Sequence, residues 1–166
     1  MTSNLARRRR CGDLWSAGYV PIIVCARGRG THESAKERRY APLILTFPTP
    51  TEDDASQEGK FLQLRLAARD YILFATAAEC RYHNQILARF LSEQGIPHRW
   101  EQAVNLVVDH PELAVIGGGR FRLDVNRELL HVWDDSSVYG RFDSSSLAVQ
   151  LAAAGPPWNR LALGVG

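Results

Sequence analysis

The chain has 166 residues, 45% of them hydrophobic and 23% charged, with a formal net charge of +2. That length suits one domain plus a tail, the composition excludes collagenous and wholly disordered chains, and no apolar run approaches the roughly 18 residues of a membrane-spanning helix. Cys11, Cys25 and Cys80 show no CxxC spacing, so neither a disulfide framework nor a cysteine zinc cage is expected, and a reducing, cytoplasmic setting is the simplest.

The charge is unevenly spread. Residues 1–40 hold nine Lys or Arg against three acids, a balance of +6, which leaves eleven against fifteen, or −4, in the remainder. The Arg clusters of "LARRRRCGDLW" and "CARGRGTHESAKERRY" and the Pro-, Thr- and acid-rich "FPTPTEDDASQEGK" lack periodicity. Residues 1–58 therefore read as a basic, disordered tail and linker, in which short apolar pieces such as "VPIIVC" can pair locally. The basic run is compatible with organelle targeting or with nucleic-acid association, and equally with a plain solvated terminus. A nucleic-acid role is the weakest of the functional readings.

From Lys60 the pattern changes. In "KFLQLRLA", Leu62, Leu64 and Leu66 alternate with Gln63 and Arg65, the period of a strand with one buried face. "YILF" follows a short connection and reads as its hairpin partner. In "ECRYHNQILARF", Tyr82, Ile86, Leu87, Phe90 and Leu91 recur at helical spacing, and "EQGIP" supplies a left-handed cap at Gly95 and a stop at Pro97. "TAAE", Thr76 to Glu79, is a capping-box pattern that would start this helix ahead of His83. "AVNLVV" and "LAVIGGG" are candidate strands, the first also readable as a helical turn. "RFRLDV" and "ELLHVW" form a hairpin across "NR". "DDSSVYGRFD" is a loop, "SSSLAVQLAAAGPP" a capped helix and "RLALGV" a closing strand. Strands in neighbouring hairpins with two interspersed helices give an expected α+β layer architecture.

Four pieces stand in a telling order: Lys60 opening "KFLQLRL", the Tyr82–His83 pair heading a helix, "GGGR" at Gly117–Arg120, and "HVW" running into "SSVYG". Together they resemble the phosphohistidine phosphatase (Janus/Ocnus) family over roughly residues 59–166. The resemblance implies that family's α+β fold, a mixed six-stranded sheet flanked by two main helices, and a metal-independent protein histidine phosphatase. It gives His83 the role of nucleophile or base and places phosphate on Lys60, on amides around Tyr82, His83 and Asn84, and on Ser136, Ser137 and Val138, with Arg120 as an electrostatic aid. The implied partner is a phosphohistidine-containing protein met by a monomer, with no metal, organic cofactor or membrane. Where the family commonly has Gly and Tyr, this chain has Asp134 and Asp135, and a basic residue found in some members falls at Ala75. These departures leave open a Janus-like module that binds phosphorylated or acidic segments without turnover.

The chemistry suits the residues. Phosphoryl transfer needs positioning and charge stabilisation more than bond-making by the protein. A helix start offers free N–H groups and the positive end of a dipole, which binds anions and keeps an imidazole neutral. No HExxH, acidic metal cluster or P-loop lysine is present. The catalytic reading requires His83 to face an electropositive, amide-lined pocket close to residues 136–138; an imidazole buried among apolar side chains would end it. His131 and the three glycines are expected to be structural.

Overall fold

The computed structural model describes residues 41–47 and 56–166. The Arg clusters and "VPIIVC" lie outside the described residues. The described chain is α+β, with a mixed six-stranded sheet and one helix on each face. Its elements are β1 (Leu43–Phe47), β2 (Ser56–Leu66), β3 (Arg69–Thr76), α1 (His83–Glu93), β4 (His98–Glu101), β5 (Asn105–Val108), β6 (Leu113–Asp124), β7 (Leu129–Trp133), α2 (Ser144–Ala153) and β8 (Ala162–Val165), with a 3₁₀ turn at Trp158–Arg160 before the last. The sheet order is β1-β3-β2-β6-β7-β8, and β4 and β5 form a separate hairpin. β1 pairs parallel with β3 and β8 parallel with β7; the inner pairs are antiparallel.

Three expectations are corrected. The folded unit begins before residue 59: "LILTF" and Ser56–Glu58 belong to the sheet, because Phe47 is buried in the core and each residue of β1 gains a backbone partner on β3. "LAVIGGG" and "RFRLDV" are one strand, β6, bent by a bulge where Gln63 pairs with Gly117 and Leu64 with Val115. "NLVV" lies outside the main sheet, paired with "HRWE". The expected "KFLQLRL"–"YILF" hairpin, "SSSLAVQLAA" helix and terminal strand are β2–β3, α2 and β8.

Both faces of β2 are buried. Leu62 and Leu64 join Phe47, Tyr71, Leu73, Ile86, Leu87, Phe90 and Leu91 under α1. Phe61 joins Ile72, Phe74, Phe121, Leu130, Val132, Leu147 and Leu151 under α2. Gln63, expected to face solvent, is fully buried on the α2 side. Its amide donates to Gln150 Oε1 at 2.9 Å and its carbonyl accepts from the Asp143 amide at 2.9 Å, so the buried polar group is satisfied. Asp143 caps α2 through bonds from the Ser145 and Ser146 amides. The end of α1 is a Schellman turn: Gly95 has φ +68°, with Ile96 N–H to Leu91 O at 2.8 Å and Gly95 N–H to Ser92 O at 3.1 Å.

Candidate functional site

The onset of α1 decides what its amides can do. Thr76 ends β3, and "TAAE" forms a turn in which the Thr76 carbonyl accepts from the Glu79 and Cys80 amides, at 3.1 and 2.9 Å. The helix starts at His83 with Tyr82 as N-cap. Gln85 folds its side-chain oxygen back onto the Arg81 and Tyr82 amides, at 2.8 and 3.0 Å. Those two donors are therefore occupied, and the amide expected of Tyr82 is not open to an anion. The His83 and Asn84 amides make no hydrogen bond among the described residues. They stand at the positive end of the helix, where an anion is favoured.

The His83 ring rests on β6. Gly118 is flat enough to admit it: a Cβ there would lie 3.0 Å from His83 Cδ2 and 2.5 Å from the Phe61 carbonyl oxygen. His83 Nε2 lies 3.0 Å from the Gly119 carbonyl oxygen. A carbonyl only accepts, so Nε2 carries the proton and Nδ1 the lone pair. The ring is more enclosed than expected from sequence, with His83 6% exposed. The enclosure is incomplete. Among the described residues Nδ1 has no hydrogen-bond partner, and it is not cut off from solvent as the unpartnered Asn84 Oδ1, His110 Nδ1 and Gln150 Nε2 are.

The loop after β7 reaches the same place. Gly118 N–H donates to the Gly140 carbonyl at 3.1 Å, and Gly118 pairs with Arg141. One glycine thus touches both the imidazole and the "SSVYG" loop, so the two segments meet as expected. Within the loop, Ser136 and Gly140 exchange backbone hydrogen bonds at 3.1 and 2.8 Å, and Ser136 Oγ accepts from the Tyr139 amide at 3.2 Å. Ser136 is 2% exposed and closes the loop rather than lining an opening. Ser137 and Val138 are exposed, and their amides make no hydrogen bond among the described residues. They are the available donors of this loop.

Lys60 and Arg120 face each other across β2 and β6. Lys60 has no ion-pair partner among the described residues, and Arg120 Nε lies 3.2 Å from Asp134 Oδ2. Burial holds the His83 pKa below its ordinary 6.5, and Lys60 and Arg120 push the same way, against the Gly119 carbonyl and Asp134. The ring is neutral at physiological pH. Asp134 is held below the usual carboxylate range by the Asp135 amide, with Arg120 and Lys60 adding to the effect. Asp134 is thus held ionised beside Arg120, whose guanidinium partly offsets its charge.

Asn84 turns away from any ligand, its amide donating to the Val104 carbonyl at 2.7 Å, so only its backbone N–H serves the site. His131 stacks on Trp133, with ring centroids 5.0 Å apart, as a structural strand residue would. Farther along the same sheet face, a depression of about 490 Å³ is lined by Glu58, Arg122, Asp124, Arg127 and His131 among others. His83 does not line it. Among the described residues no three His, Cys, Asp or Glu side chains are grouped to hold a metal, and no helix is long and apolar enough to cross a membrane. The Gly119 carbonyl and the Gly118 surface seat the His83 ring, a part of the candidate site that a search for side chains passes over; the run of three glycines, expected to be structural, is its trace in the sequence. No protein-family model matches the chain, and no curated protein matches it in sequence.

Proposed function

We propose that the protein is a metal-independent protein histidine phosphatase in which His83 Nδ1 attacks the phosphoryl group of phosphohistidine. The observation that carries this reading is the neutral imidazole fixed through Nε2–H on the Gly119 carbonyl, with Nδ1 unpartnered, at a helix start whose first two amides are free. Those amides, the Ser137 and Val138 amides and Lys60 supply the positive lining that a phosphoryl group with charge on its equatorial oxygens needs.

The steps balance. The Nδ1 lone pair forms a new P–N bond while the substrate P–N bond breaks, its electron pair returning to the substrate nitrogen. His83, still carrying the Nε2 proton, becomes a positively charged phosphoimidazole, and the Gly119 carbonyl stabilises that charge. Water then attacks phosphorus, the Nδ1–P bond returns its pair to Nδ1, and phosphate leaves with the oxygen of water while a proton passes to solvent. No metal enters either step.

The test is phosphate release from a phosphohistidine peptide in the presence of chelator. Loss of at least about a hundredfold in His83→Ala supports the reading, since removing a nucleophile abolishes the covalent route; equal rates in the two proteins refute it. The low exposure of His83 favours a second reading, a module that binds phosphorylated or acidic segments without turnover. Saturable binding of the same peptide with no phosphate release would establish that one.

A further inference from the structure

Asp134 is out of place in an anion site, and its placement is specific. It follows Trp133 at the end of β7 with φ +67°, a conformation that Asp tolerates better than most residues. That turn brings the chain back over β6: a Cβ on Gly119 would meet the Trp133 carbonyl at 2.6 Å and the Asp134 carbonyl at 3.1 Å. Asp134 thus abuts the residue whose carbonyl holds His83. Its carboxylate bonds Arg120 through one oxygen, at 3.2 Å, and remains 45% exposed. Arg120 in turn faces Lys60 across β2 and β6, two positions along β6 from the Gly118 that seats His83, so the carboxylate stands within the charged group at the site.

A carboxylate here repels a phosphate dianion and attracts a cation. A phosphoryl group on a protonated nitrogen brings both charges at once: the dianionic oxygens suit the amides and Lys60, and the cationic nitrogen suits Asp134. A phosphoryl group on a neutral ester oxygen meets the repulsion with no cationic atom of its own to offset it. We propose that Asp134 selects phosphoryl groups carried on positively charged nitrogen over those carried on neutral oxygen. The inference rests on the His83 site described above. In the transfer step the positive charge moves from the protonated leaving ring, which departs as neutral imidazole, to His83, and the carboxylate acts on that charge while the substrate carries it.

Binding and turnover are measured separately. The probes for binding are phosphoramidate, whose nitrogen is protonated, and inorganic phosphate, by titration calorimetry with the full chain. The wild type should favour phosphoramidate by about tenfold, the scale of one charge-assisted hydrogen bond. Asp134→Asn, which tolerates the left-handed backbone, and Asp134→Gly, which adopts it freely, should both bring the ratio close to one. An unchanged ratio in both variants, or no preference in the wild type, overturns the proposal. For turnover, a phosphohistidine peptide is compared with p-nitrophenyl phosphate: Asp134→Asn should lose about tenfold on the peptide only. An equal loss on both substrates overturns the role of Asp134 and keeps that of His83. Asp134-dependent phosphoramidate binding without any turnover refutes the phosphatase and keeps the role of Asp134.

Discussion

Gly118→Ala is the substitution that most directly probes how the site is built. The added Cβ would lie 2.5 Å from the Phe61 carbonyl oxygen, 2.9 Å from Leu62 Cδ2 and 3.0 Å from His83 Cδ2. Two of these neighbours belong to β2, whose distance from β6 is fixed by the ladder in which Leu62 pairs with Gly118. Relief requires the strands to part or the ring to move by roughly half an ångström, and overpacking of this kind costs about 1–3 kcal/mol. For a domain of this size, 2 kcal/mol corresponds to a fall in melting temperature of about 5–10 °C. A displaced ring also loses its 3.0 Å bond to the Gly119 carbonyl, and misplacement approaching 1 Å lowers transfer by about a hundredfold. Thermal unfolding followed by circular dichroism reads the first effect, and phosphate release from the phosphohistidine peptide the second. Gly155→Ala is the control: a Cβ there meets nothing within 4 Å, and its stability should stay within about 0.5 kcal/mol of wild type. A Gly118→Ala protein as stable and as active as the wild type would refute the claim that this glycine seats the imidazole.

Two further effects concern stability. Because folding holds His83 below its ordinary pKa of 6.5, the unfolded chain takes up the proton first as pH falls, so the stability contribution of this group declines below 6.5 and levels off beneath the folded value. Urea unfolding between about pH 7.5 and about pH 5 should show this decline in the wild type and a smaller one in His83→Asn; parallel profiles would contradict it. Gln63→Ala removes the bridge from β2 to both Gln150 and the Asp143 amide, leaving the buried Gln150 side-chain carbonyl and the part-buried Asp143 N–H without partners and a cavity behind, at a cost of about 3 kcal/mol. Denaturant melts should place it well below Asp143→Ala, which loses the N-cap alone, about 1 kcal/mol; the reverse order would show that the buried amide pair is not what ties α2 to the sheet.

Periodic patterns made much of the fold legible. The alternation of Leu62 and Leu64, the apolar stripe from Ile86 to Leu91 and the Asp143 cap each encode their element locally, and each is where it was expected. Strand β1 was not legible, because "LILTF" is short, sits between segments of tail-like composition and is defined by its parallel partner β3 rather than by its own letters. Gln63 misled for a related reason: a polar letter in a strand reads as solvent-facing until the chain on the far face supplies its partners. At the site, His83 and its loop were findable as a motif. The occupied amide of Tyr82, the inward hydroxyl of Ser136 and the carbonyl of Gly119 were not, since backbone hydrogen bonding leaves little trace in side-chain identity.

The position of the phosphoryl group on the protein is the sharpest test of the proposed chemistry. After rapid mixing with phosphoramidate and trapping at alkaline pH, where phosphohistidine persists, ¹⁵N-edited and ³¹P NMR distinguish the two ring nitrogens. Label on Nδ1 of His83 is the expected result, because Nε2 is held by the Gly119 carbonyl. Label on Nε2, or on another residue with His83 unmodified, would contradict it.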